Sequence, residues 1–196
     1  MAESTFAQRG PGEDGRSPYW EAGSGETIVA IIDGGQLPTR AHTLLAERRR
    51  VMVFAMTADA ETRQETARRI GAAVAALGIE HFDLMGEGTG AAAALWLASA
   101  PQADVGSVVI VAPDGVPDEA FREMKRPVLM LCGTKDQSDA GGRYRTLPPE
   151  CHFMFVYDAG RDIGAERPEA LAFITLEFFE RRDLFLVSRE SGIAFP

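Results

Sequence analysis

The residues best suited to chemistry stand at 86–90, Gly86-Glu87-Gly88-Thr89-Gly90. They follow the run Phe82-Asp83-Leu84-Met85 and open the Ala-rich run 91–100, a pattern that predicts strand, tight turn, helix. Glycine at both ends permits a sharp turn and a close approach of helix to strand. The frame is that of G-x-S-x-G, in which a strained strand-to-helix turn lifts a serine to the start of a helix. Here the central residue is Gly88, which has no side chain to lift. Covalent catalysis needs a nucleophile and a base to take its proton, and Gly88 provides neither. The substitutes at hand are Thr89 beside it and Glu87, a carboxylate that could act as general base. The helix start, with its free N–H groups, also suits a small anion.

The same run satisfies G-x-G-x-x-G/A through Ala91, and Asp114 follows the next strand at about the 20-residue offset of a ribose-binding acid. That spacing gives the alternative of a dinucleotide-binding domain. The fingerprint normally opens the first β-α-β unit, however, and two strand–helix units precede it here.

Those units supply the frame. Residues 1–18 are rich in Gly, Ser, Glu and Arg and read as a loosely attached tail. Residues 19–23 suggest a short edge strand. The β-branched run 27–32 has the composition of a strand buried on both faces, and Asp33-Gly34-Gly35 ends it in a loop. A helix is expected at 38–49, with Arg48-Arg49-Arg50 as its solvated, dipole-matched end. A strand at 51–55 and a cap at Thr57-Ala58-Asp59 lead to a helix at 60–77, stopped by Gly78. Strands follow at 81–85, 107–112, 127–132 and 151–157, with a short helix at 118–125, a loop at 133–145 and a last helix at 168–182 opened by Pro168. Six core strands alternating with helices predict an α/β fold with a largely parallel sheet, in one domain spanning 19–182. The segment 183–196, with Phe185, Leu186, Val187, Ile193 and Phe195, is apolar enough to cover its own domain or a neighbour, and a homodimer is the expectation.

Composition narrows the partners. A chain of 196 residues can bury a sizeable core. Its net charge of −9 argues against a nucleic-acid partner, which would require a basic face, and against an anionic membrane surface. Two cysteines, Cys132 and Cys151, do not make a disulfide framework, and no C-x-x-C or His/Cys cluster suggests zinc. No cofactor is implied. The N-terminus lacks the apolar stretch of a secretory signal, no run reaches membrane-spanning length, and a cytoplasmic location follows by default.

Taken in order, five places resemble the α/β-hydrolase family over residues 19–182. Asp33-Gly34-Gly35 resembles its oxyanion loop. Residues 76–79 lead, as in the family, into the strand before the elbow, and 86–90 resemble the nucleophile elbow itself. Cys132-Gly133-Thr134-Lys135-Asp136 resembles the strand end carrying the triad acid, and 157–162 the loop carrying the triad histidine. The resemblance implies a triad reduced to its acid. Gly88 stands at the nucleophile position, Asp136 at the acid, and Arg161 at the histidine. Guanidinium stays protonated and cannot act as a base near neutral pH. The earliest strands of the family sheet are expected to be mostly missing and the cap reduced to 114–126. None of His42, His81 and His152 is expected at the site, while Asp136 and Arg161 are expected to meet as an ion pair. The implied function is a non-catalytic binding or interaction module, with Asp33, Gly34, Gly35, Gly88, Thr89 and Arg161 lining a vestigial pocket for a small anionic ligand. The alternative is a small-molecule hydrolase or lyase with relocated catalytic groups.

Overall fold

The computed structural model describes residues 5–9, 18–56, 62–122, 124–138, 144 and 151–185. The expected cap at 57–59, most of the loop at 133–145 beyond residue 138, and the segment 186–196 lie outside them.

In chain order the elements are β1 (Ala7–Arg9), β2 (Tyr19–Ala22), β3 (Thr27–Ile32), α1 (Arg40–Ala46), β4 (Arg50–Ala55), α2 (Arg63–Ala76), β5 (His81–Glu87), α3 (Gly90–Ser99), β6 (Asp104–Val111), α4 (Asp118–Arg122), β7 (Val128–Gly133), β8 (Cys151–Val156), α5 (Ile163–Glu166) and α6 (Pro168–Arg181), then a 3₁₀ turn (Arg182–Phe185). The strands form one sheet in the order β1-β2-β4-β3-β5-β6-β7-β8. It is parallel from β4 to β8, with β1 and β2 antiparallel at one edge.

The six expected core strands are all present, and the short strand expected at 19–23 is β2, but it pairs on both sides, with β4 and with an eighth described strand, β1 (Ala7–Arg9), inside the expected tail, so the early strands are not missing. The shortness and polarity of β1 hid it, and Glu21 of β2 serves as an ion-pair partner for Arg9 and Arg50 rather than as a sign of solvent. The arginines at 48–50 are likewise tied rather than free. Arg48 pairs with Glu180, buried Arg49 with Glu26, and Arg50 with Glu21.

Two apolar layers clamp the sheet. One joins sheet residues such as Val29, Leu84 and Ile110 to α2, α3 and α4; the other joins Ile28, Met85 and Val109 to α1 and α6. Helix α2 begins at Thr62, whose hydroxyl accepts from the Glu65 N–H while the Glu65 carboxylate accepts from the Thr62 N–H. Between β6 and β7 only α4 intervenes, so nothing of a cap stands over the sheet among the described residues. No described helix is long and apolar enough to cross a membrane.

Candidate active site

Strand β5 ends at Glu87 and α3 starts at Gly90, so the whole reversal falls on Gly88 and Thr89. Gly88 has φ +54°, the left-handed region that costs other residues about 1–2 kcal/mol. Its N–H donates to the Val111 carbonyl (3.0 Å) and its carbonyl accepts from the Asp114 N–H (2.9 Å), which fixes the turn to the end of β6. Gly86 and Gly90 let the helix sit hard on the sheet. A Cβ on Gly86 would lie 2.8 Å from the Ala91 Cα, and one on Gly90 would run into the Ile31 carbonyl.

Asp33, at the end of neighbouring β3, reaches into this turn. Its Oδ1 accepts from the Thr89 N–H at 2.6 Å and from the Thr89 hydroxyl. Its carboxylate lies over Gly88, where a Cβ would come within 2.7 Å of Oδ1 and closer still to Oδ2. The chain's own carboxylate thus takes the anion position at the start of α3. The loop behind it is set by the bond from the Gln36 N–H to the Asp33 carbonyl (3.2 Å) and by Gly35 at φ +81°.

On the opposite side of the strand end, Glu87 turns inward and meets His42. Nε2 of His42 and Oε1 of Glu87 are 3.0 Å apart, both deeply buried. The contact is close enough for charge attraction but is out of line for a hydrogen bond, and neither atom has another such partner among the described residues. Nδ1 of His42 accepts from the Thr39 N–H at 3.0 Å. A histidine beside the elbow corrects the expectation that none would be near it. The missed signal is the spacing Thr39-x-x-His42, which places a side-chain acceptor one helical turn from the start of α1, as Glu does in a capping box. His81 and His152 lie elsewhere: His81 pairs with Asp104 at the foot of the sheet, and His152 packs edge-on against Phe178.

Asp136 and Arg161 also depart from expectation. Asp136 accepts from the Ser138 N–H (2.8 Å) in a local turn, while Arg161 pairs with Asp114 at 2.6 Å. Asp114, just after β6, is brought there by its own N–H bond to the Gly88 carbonyl, and it takes the place expected for Asp136. Both members of that pair are about half exposed, 47% and 52%. The cysteines are inert by environment: burial pushes the Cys132 thiol up to about 11 and the Cys151 thiol up to about 12. Among the described residues no group of His, Cys, Asp or Glu is arranged to hold a metal ion. A groove of about 550 Å³ runs between α2 and α3, lined by residues such as Arg68, Phe82 and Trp96 and by none at the elbow.

Solved structures with this layout are numerous. A serine hydrolase involved in carbazole degradation (the CarC enzyme) superposes with a TM-score of 0.78 at 17% identity, over 91% of this chain and 100% of that one. A predicted hydrolase from Thermoplasma acidophilum gives 0.72 at 17%, over 89% and 98%. The fold is that of the α/β-hydrolases. BpoC from Mycobacterium tuberculosis extends the set at TM-score 0.69, 17% identity, 90% and 96% coverage. At these identities the likeness concerns architecture. No protein-family model and no curated sequence matches the chain. Within the α/β-hydrolase fold, a turn between β5 and α3 is the place where a nucleophile is presented, and the N–H following it is an oxyanion donor.

Proposed function

We propose that this chain is a non-catalytic member of the α/β-hydrolase fold that serves as a binding or interaction module. One observation carries the reading: Asp33 occupies both functional positions of the elbow. Its carboxylate fills the space that a nucleophile side chain at Gly88 would need, and it already accepts the Thr89 N–H that would polarise an acyl oxygen. Oxyanion donors contribute only when free to meet charge that develops during the reaction. Here the donor already faces a carboxyl oxygen of the chain itself, which would exclude an oxyanion from the same place. Arg161, at the position the resemblance gives to the histidine, cannot serve as a base. A small anionic ligand at Arg161 would share the guanidinium with Asp114.

The buried His42–Glu87 contact favours the second reading, an enzyme with relocated groups, because a histidine beside a carboxylate is the usual acid–base unit. Its wiring opposes that reading. Nδ1 is engaged by Thr39 and Nε2 faces Glu87, so no ring nitrogen is turned toward a reactant. Incubation with a fluorophosphonate probe, followed by intact-mass analysis, tests the proposal. The expected result is an unchanged mass. Stoichiometric addition mapping to Thr89, or to a serine near the elbow, overturns it.

A further inference from the structure

The groove between α2 and α3 holds about 550 Å³, within the range of roughly 300–1,000 Å³ usual for small-molecule sites. Its floor is apolar. Val74, Ile79, Phe82 and Leu97 belong to the buried layer beneath it, and partly buried Trp96 stands along the α3 side. The helices touch at the bottom, where a Cβ on Gly71 would lie 2.9 Å from the Leu97 Cδ1.

The charged groups gather at the two ends and differ in sign. Near the start of α2, Gln64 and Arg68 stand one helical turn apart and both line the groove. Both are exposed, and neither has a hydrogen-bond or ion-pair partner among the described residues. Other arginines of the chain are not left so: Arg48, Arg49 and Arg50 each reach a carboxylate. Glu65, the acid beside Arg68 on α2, accepts instead from the N–H and hydroxyl of Thr62 at the helix cap.

A guanidinium beside a carboxamide presents N–H donors from two side chains, which suits the two oxygens of one carboxylate. The far end has the opposite character. Asp104 and Glu80 line it; Asp104 pairs with His81 at 3.1 Å, whereas Glu80 has no such partner among the described residues. A second negative charge on a ligand would meet Glu80 there and be repelled.

We propose that this groove binds a small monocarboxylate with an apolar body. The carboxylate meets Arg68 and Gln64, and the body lies along Trp96 toward the Glu80 end. Removal of the body from water supplies the affinity. The two ends of opposite sign set its direction. A chain of net charge −9 repels anions in general, so a carboxylate is held only where an unpaired guanidinium offsets that field. No residue of the groove belongs to the elbow, so labelling by a fluorophosphonate there would leave this proposal standing.

Tryptophan fluorescence of the full chain carrying Trp20→Phe is the test, with octanoate as the probe. The chain has two tryptophans, and Trp20 packs on the opposite apolar layer, so the remaining emission reports Trp96. Octanoate is expected to shift that emission to the blue with a dissociation constant of roughly 0.1–1 mM. Octanamide lacks the charge and octanedioate carries a second one toward Glu80, so each is expected to bind at least about fivefold more weakly. Arg68→Gln, at an exposed helix position that Gln suits, is expected to weaken octanoate binding about tenfold and to leave octanamide unaffected. Circular dichroism shows whether the variants remain folded. If Trp20→Phe does not, calorimetric titration of the unaltered chain with the same three compounds decides instead. No binding up to about 10 mM octanoate, equal binding of octanoate and either of the other two, or an unchanged constant in Arg68→Gln overturns the proposal. So does Trp96 emission that acrylamide cannot quench before octanoate is added, which would put another part of the chain in the groove. Emission that follows protein concentration instead of octanoate would put a second copy there and overturns it equally.

Discussion

Two carboxylates, at opposite ends of the sheet, are held in the same way. At the top, Asp33 accepts from the N–H and hydroxyl of Thr89 and lies over Gly88. At the foot, Asp83 accepts from the N–H (3.0 Å) and hydroxyl (2.9 Å) of Ser107 and lies over Gly106, where a Cβ would fall 2.6 Å from its Oδ1. Each is an Asp docked on a Gly-Thr or Gly-Ser dipeptide of the neighbouring segment. At the foot the device fills an irregularity in the pairing of β5 with β6, between Phe82 and Leu84. It is buried there, and burial raises the Asp83 carboxyl above its ordinary 3.8 against the lowering pull of Ser107 and Arg182. At the top the same device is only half-buried and sits where a hydrolase would do its chemistry. What the comparison teaches is that the lock is a structural element that this fold uses twice. Its effect on function comes from what it displaces.

The largest expected effect comes from inserting side chains under the two locks. Gly88→Ser should cost roughly 2–4 kcal/mol, from the left-handed backbone and the collision with Asp33. Combining it with Asp33→Gly should recover part of that loss, so the two changes are less than additive in urea unfolding. Gly106→Ala should also destabilise, through Asp83 and the Arg182 guanidinium 2.9 Å from the added methyl, but with no help from Asp33→Gly. Equal rescue at both sites would break the comparison.

Removing charge should separate the sites further. Asp33→Asn keeps an acceptor for Thr89 but loses the charge assistance, at about 1–2 kcal/mol. Asp83→Asn should be within about 1 kcal/mol of the unaltered protein, or more stable, at pH 7, because a buried ion is removed. Its pH dependence gives the sharper contrast. A raised carboxyl holds its proton longer in the folded chain, so its contribution is complete below the ordinary value of 3.8 and is lost as pH rises through the raised one. Melting temperatures measured upward from pH 4 should therefore fall less steeply in Asp83→Asn. Parallel curves for variant and unaltered protein would contradict the assignment.

The smallest effect belongs to Arg161 and Asp114. A half-exposed pair of this kind contributes about 0–1 kcal/mol, so a double-mutant cycle should give a coupling in that range. A coupling well above 1 kcal/mol would mean that the pair organises the site.

The sheet was legible because it rests on composition. The runs at 27–32, 51–55 and 107–112 are apolar on both faces, and three glycines at 86, 88 and 90 announce a helix pressed onto a strand. Strand β2 was legible at 19–23, whereas β1 was not, since it is three residues long, fully exposed and carries the ion-pairing Arg9. The site was legible only in its losses. That Gly88 lacks a nucleophile is visible in the sequence, whereas the carboxylate lying over it depends on β3 and β5 being neighbours. The partner of Arg161 was misjudged for a related reason: Asp114 is carried to it by a backbone bond to Gly88 that residue types do not encode. Gly88-Thr89 and Gly106-Ser107 were the available signals, each a glycine followed by a hydroxyl residue beside a strand that ends or bulges at Asp.

Turnover of p-nitrophenyl acetate and butyrate by the purified chain, set beside Glu87→Gln and Thr89→Val prepared identically, tests the central claim most directly. With Asp33 holding the Thr89 N–H and no nucleophile at Gly88, all three proteins should hydrolyse the esters at the buffer rate. Hydrolysis by the unaltered chain above that rate, lost in Glu87→Gln or Thr89→Val, would show that the elbow still performs chemistry.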